Sequence, residues 1–178
     1  MPSLVTDAAT FRRVATDVPA TARVPVELQL TVADPFDAYR RARTEGDPGV
    51  YLATTGGQSG WGYFGVDPID LVEIGPESAG RDRARSPTLD AIEGRLAQET
   101  LVRGECDVPY PCGAVGWLSY DIAREIEDLP DHTPEDRGLP RAQLAVFDTL
   151  VAWEEPRDRE DVTLRITACP TVGDDPTE

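Results

Sequence analysis

Residues 142 to 168 read Ala142-Gln143-Leu144-Ala145-Val146-Phe147-Asp148-Thr149-Leu150-Val151-Ala152-Trp153, then Glu154-Glu155-Pro156-Arg157-Asp158-Arg159-Glu160-Asp161, then Val162-Thr163-Leu164-Arg165-Ile166-Thr167-Ala168. In the last segment Val162, Leu164, Ile166 and Ala168 alternate with polar residues, the period of a strand with one face buried. The first segment opens on the same alternation at Ala142, Leu144 and Val146 and reads as one long strand ending at Trp153. The charged residues between them form a loop, so the two strands make an antiparallel hairpin.

Upstream, Val24, Val26, Leu28 and Leu30 alternate with Pro25, Glu27 and Gln29, which predicts a half-buried strand that Pro25 confines to an edge or a start. Asp34 and Pro35 are the cap and first position of a helix bearing Phe36 and Tyr39, which Gly46 stops. The segments 49–54 and 61–67 are short, apolar or aromatic strands. Gly56-Gly57-Gln58-Ser59-Gly60 joins them as a hairpin loop, and Asp70 to Ile74 extends the meander.

Pro76 to Ser86 has no period and reads as a loop. Ser86 and Pro87 then open a helix whose stripe is Leu89, Ile92 and Leu96 and whose stop is Gly104. Gly113 to Tyr120 is a strand whose small residues admit another backbone, and Ile122 and Ile126 mark a short helix. The fold class that follows is α+β, mostly antiparallel sheets with a few flanking helices. One domain is expected over residues 23–169, after a loosely held lead-in at 1–22 with a short helix near Phe11, and before an acidic linker or tail at 170–178.

The chain has 178 residues, 33 Asp plus Glu and 17 basic residues, for a formal charge of −16. Such a surface repels phosphate backbones and anionic lipid, so neither nucleic acid nor a membrane is an expected partner. Every basic residue is Arg, and this bias with the acidity resembles proteins of salt-loving archaea, where carboxylates keep a surface hydrated. No apolar run approaches the roughly 20 residues of a spanning helix, and no secretory h-region is legible, so a cytoplasmic location is expected.

Chemistry-bearing patterns are sparse. Cys106, Cys112 and Cys169 lack CxxC spacing and read as reduced thiols. His132, the single histidine, lies in an acidic turn and reads as a solvated loop residue. No HExxH, GxSxG or GxxxxGK[ST] pattern occurs, and without lysine no Schiff base can form. Glu125, Glu127 and Asp128 read as a solvated helix face. Trp61, Tyr63, Phe64 and Trp117 concentrate aromatic surface, as a core or a small-ligand pocket would.

The segment Pro109-Tyr110-Pro111-Cys112-Gly113-Ala114-Val115-Gly116-Trp117-Leu118-Ser119-Tyr120-Asp121, followed by Glu127-Asp128-Leu129-Pro130, resembles a pattern of component I of anthranilate synthase and of aminodeoxychorismate synthase. Pro35 to Tyr39, Val50 to Thr55 and Phe64 to Pro68 fall in that family's order, and the resemblance covers about residues 23 to 169. It implies the family's N-terminal region, with no catalytic residue and no cofactor in this chain. The magnesium of the complete enzyme is expected on a separate chorismate-binding catalytic domain. That catalytic domain and a glutamine amidotransferase subunit, component II, are the implied partners.

Tryptophan is the further ligand that the resemblance implies, in a pocket built on a Leu-Leu-Glu-Ser strand. The matching residues are Leu52-Ala53-Thr54-Thr55, with Tyr63 and Phe64 from the next strand, so Leu52, Thr54, Thr55, Tyr63 and Phe64 are the expected effector site. Thr55 offers the serine's hydroxyl, whereas Thr54 lacks the glutamate's charge toward an ammonium group. Cys112 likewise departs from the family, standing at the first glycine of a Gly-Gly pair. The competing expectation is a free-standing binding or regulatory module with the same fold.

Overall fold

The computed structural model describes residues 1–54, 57–75, 86–129, 138–157 and 161–173. Among them, in chain order, are β1 (Ser3–Leu4), α1 (Ala8–Ala15), β2 (Ala22–Arg23), β3 (Val26–Val32), α2 (Pro35–Ala42), β4 (Gly49–Leu52), β5 (Gly60–Val66), β6 (Asp70–Ile74) and α3 (Pro87–Leu96). There follow β7 (Thr100–Leu101), β8 (Gly113–Leu118), a 3-10 turn (Tyr120–Ile122), α4 (Ala123–Ile126), β9 (Ala142–Phe147), β10 (Thr149–Glu155) and β11 (Val162–Ala168). The class is the expected α+β. The chain folds as two compact units, one of Met1–Ile69, Thr100–Gly113 and Phe147–Glu178, the other of Asp70–Glu99 and Ala114–Val146.

The first unit is built on a six-stranded sheet in the order β1-β3-β11-β10-β5-β4, antiparallel at every pairing. The predicted hairpin is its centre. Registers align one row of side chains as Leu4, Leu28, Ile166, Val151, Phe64 and Tyr51. The next row is Gln29, Arg165, Ala152, Tyr63 and Leu52. Because strand side chains alternate, these rows face opposite sides of the sheet.

Tyr39 and Ala38 of α2 pack on the first of these faces with Phe64, Trp153, Val162 and Leu164. Burying each such side chain contributes about 1.5–3 kcal/mol, and the alternation in β11 selects this face for that reason. Asp34 accepts a hydrogen bond from the Phe36 amide at 2.9 Å and starts α2 as expected. The helix ends at Ala42, before the predicted stop; Gly46, at φ +91°, belongs to the following turn.

Both ends of this unit are more ordered than the sequence suggests. β1 pairs with β3, and α1, capped by Asp7, brings Phe11, Val14 and Ala15 against Val24 and Val172. The Val172 and Gly173 amides donate to the Ala22 and Ala20 carbonyls, both at 2.9 Å. Pro170 to Gly173 thus begin the segment read as a linker with a packed turn, since Val172 completes an apolar cluster too small to register as a periodic pattern. The remainder of that tail lies outside the described residues.

In the second unit β6, β9 and β8 form a separate sheet, with Asp70 opposite Val146 and Ile74 opposite Ala142. β6 therefore does not extend the meander. The expected long strand is also two strands, divided at Asp148, with β9 in one sheet and β10 in the other. Both halves are extended, and strand periodicity cannot show that they serve different sheets.

β8 confirms its predicted close approach. A Cβ on Gly116 would lie 1.9 Å from the Gln143 carbonyl oxygen. Ser86 caps α3 by accepting from the Leu89 amide at 3.2 Å, but the helix ends at Leu96, eight positions short of Gly104. Gly104 instead takes φ +56° in the turn after β7. The predicted stripe is not the buried face either: Leu89 and Leu96 are exposed, whereas Thr88 is fully buried. His132 lies outside the described residues.

Candidate functional site

β4 and β5 carry the residues expected to bind an effector, and their pairing decides which of them can meet. Leu52 stands opposite Tyr63, on the face away from α2. Phe64, the next residue, faces the other way and packs in the core with Tyr39, their ring centroids 5.7 Å apart. Leu52 and Tyr63 are thus brought together, and Phe64 is separated from them by the thickness of the sheet.

Thr54 follows β4 and donates its hydroxyl to the Trp61 carbonyl at 3.3 Å. The same side chain lies 3.2 Å from where a Cβ on Gly60 would stand, so the small residue at 60 lets this contact form. Thr55 lies outside the described residues.

The face holding Leu52 and Tyr63 is covered in part by the segment 106–111. Tyr63, Val108 and Ala152 form a small core with Trp61 and Cys106 at its edge. The Tyr110 ring meets Tyr63 edge-on at 6.0 Å. Burial raises the Tyr63 phenol's pKa. Its hydroxyl lies against the Tyr110 backbone, and among the described residues this buried oxygen has no partner in an aligned hydrogen bond. A buried phenol without a partner carries a desolvation cost, of about 1–3 kcal/mol, that a ligand or an added chain could relieve. Leu52, 48% exposed, leaves the approach to this face open.

The rest of the face is electrostatic. Arg165 donates from Nε and Nη2 to the two carboxylate oxygens of Glu27, at 2.7 and 2.8 Å. Nη2 also bonds Asp107, and the guanidinium lies 5.7 Å from the Trp61 ring centroid. Hydrogen bonds donated to Glu27, outweighing burial and joined by that to Asp107, raise the Arg165 pKa further. The Arg165 bond lowers the Asp107 pKa. A cavity of about 390 Å³ on this unit is lined by Gln29, Glu154, Thr163 and Arg165 among others, and not by Leu52, Thr54, Tyr63 or Phe64.

Two buried structural carboxylates were not legible. Glu27 occupies a polar position of its strand, yet it is 1% exposed because Arg165 neutralises it; opposite charges at polar positions of two strands are the available signal, usable only once the register is known. Glu125, read as part of a solvated face, accepts from Ser86 Oγ at 2.6 Å and from Thr88 N and Oγ1 at 3.1 and 2.8 Å. It closes the N-terminus of α3, and nothing in the local pattern of either segment announces this pairing.

No family model matches the chain. It is 59% identical over 174 residues to a protein named anthranilate synthase component 1 1 of Haloarcula marismortui, covering 98% of this chain and 34% of that protein. A second protein of the same organism, anthranilate synthase component 1 3, is 56% identical over 171 residues, covering 96% of this chain and 34% of its own length. An aminodeoxychorismate synthase component 1 of Escherichia coli is 25% identical over 99 residues, 52% of this chain and 22% of that protein. The chain spans about a third of the length of the two Haloarcula relatives.

Proposed function

We propose, because the chain belongs to the chorismate-utilising family of anthranilate synthase component 1 and aminodeoxychorismate synthase component 1, that it serves that chemistry as a non-catalytic supporting region. The observation that carries this reading is the match itself: 98% of this chain aligns at 59% identity with only 34% of a relative. The complete enzyme would aminate chorismate, with magnesium and with ammonia from a glutamine amidotransferase. The higher identities favour the anthranilate branch, in which pyruvate is eliminated.

Among the described residues no group of three or more His, Cys, Asp or Glu side chains could hold a metal ion. The proposal gives this chain no magnesium ligand and leaves the ion to the catalytic domain. What the chain contributes is surface: one unit to support the catalytic domain and the amidotransferase, and the Leu52–Tyr63 face to take an effector. Thr54 and Thr55 flank that face in sequence, and tryptophan is the proposed occupant.

The test is complementation in high salt. A Haloarcula component 1 lacking the third that matches this chain is assayed for anthranilate fluorescence with chorismate, ammonia and magnesium, with and without this chain added. The expected result is no product from either piece and restored turnover from the mixture. Turnover by this chain alone, or none from a mixture that physically associates, would overturn the proposal.

A further inference from the structure

We infer that Cys112 and Cys169 form a dithiol site that oxidises to a disulfide on the folded chain, tying the 106–112 segment to the end of β11. The inference is independent of the proposed function. Cys112 stands where the resembling family has glycine, so no family role accounts for a thiol there.

The geometry rests on one carbonyl. Pro111 O accepts from Thr167 Oγ1 at 2.6 Å and from Cys169 Sγ at 3.5 Å. In a trans peptide that oxygen lies about 2.8 Å from the next Cα, so the Cys112 Cα is within about 6.3 Å of the Cys169 sulfur. The Cys112 side chain also stands near enough to the Cys169 thiol to raise its pKa. A disulfide needs Cα atoms about 4.4–6.8 Å apart, and the cross-link requires the segment carrying Cys112 to close onto Cys169 within that range. Thr167 and Cys169 are both fully buried and hold this end of the segment in place.

The two thiols differ in a way that sets the order of events. Cys169 is fully buried, and the nearby Cys112 side chain together with burial raises its pKa. Cys112 is only half-buried. The Cys112 thiolate attacks a low-molecular-weight disulfide, forming a mixed disulfide and expelling one thiolate. Cys169 then gives its proton to solvent base and attacks the Cys112 sulfur, expelling the second thiol. Two protein thiols are oxidised and one external disulfide is reduced to two thiols. The second step is the slow one and quickens as pH rises, because it needs the buried thiolate.

Cys106 is the internal control, since it packs at the edge of the Tyr63 cluster. The reduced, folded full chain is incubated with excess oxidised glutathione, quenched by alkylation, and read by thiol titration, intact mass and peptide mapping. Free thiols are expected to fall from three to one, with a single 112–169 cross-link that dithiothreitol reverses. Cys106→Ser retains the cross-link; Cys169→Ser stops at the mixed disulfide on Cys112, and Cys112→Ser forms neither that mixed disulfide nor the cross-link. A cross-link through Cys106, or three free thiols under conditions that oxidise the urea-unfolded chain, would overturn the inference.

Discussion

Arg165 grips both carboxylate oxygens of Glu27 from a diagonal position across the β3–β11 pairing, while its guanidinium also reaches Asp107 and lies over Trp61. A paired charge this deep is destabilising to break, because the surviving partner keeps its desolvation cost without its compensation. Glu27→Ala is therefore expected to lower the unfolding free energy by about 3–5 kcal/mol, read from denaturant midpoints at constant slope. Glu27→Gln keeps the shape and an acceptor and should lose less. A loss under about 1 kcal/mol for Glu27→Ala would mean that solvent screens this pair as it does exposed ones.

Glu125 makes the second unit's stability depend on pH. Burial pushes its carboxyl up, but hydrogen bonds from Ser86 and Thr88 and the charge of Arg141 outweigh it, so its pKa falls below the ordinary 4.5. A carboxylate depressed on folding contributes stability that is present above the unfolded value and is lost as pH falls through the folded one. Wild-type stability should thus decline below about pH 4.5, and Glu125→Gln should flatten that part of the profile. The same variant should fray α3 at Ser86, seen as faster amide exchange there. An unchanged acid limb would show that other carboxylates set it.

The sheet architecture was legible and its division was not. β11 announces itself because Val162, Leu164 and Ile166 meet one core; its pairing with β10 follows from a loop too short for anything else. The residues 142–153 carry the same extended signal into two sheets, since a strand's period is the same whichever sheet it joins. At the candidate site, the resemblance selected Tyr63 and Phe64 together, whereas adjacent strand residues must face opposite sides. Leu89 and Leu96 misled for another reason: α3 is anchored in this chain by Thr88 and Glu125, a polar contact between segments distant in sequence, which no helical period encodes.

Gly62 is where the core of the first unit sets its tightest condition. Its missing side chain makes room for Trp153, since a Cβ would stand 2.1 Å from the indole ring, and Trp153 is fully buried. Gly62→Ala must displace the ring and repack Phe64 and Tyr51, at an expected cost of about 1–3 kcal/mol or more. Trp153 Nε1 donates to Glu155 Oε1 at 2.7 Å, so displacement should also strain or break that bond and shift tryptophan fluorescence. Native fluorescence with unchanged stability would show that the sheet relaxes around the added methyl.

Thr54 decides how firmly the proposed effector face can hold an amino acid. Its hydroxyl is already committed to the Trp61 carbonyl, and it carries no charge to meet an ammonium group. A hydrogen bond to a charged group contributes about 1.5–3 kcal/mol, so a carboxylate here should tighten binding roughly tenfold to a hundredfold. Calorimetry in high salt is expected to show weak tryptophan binding to the wild type and that gain for Thr54→Glu. Tyr63→Phe removes the buried hydroxyl that has no aligned partner among the described residues; it should preserve stability or improve it, while weakening any ligand that satisfies the phenol. If Thr54→Glu folds with native fluorescence and gains nothing for tryptophan, the Leu52–Tyr63 face is not the effector site and serves only as a surface for the partner domain.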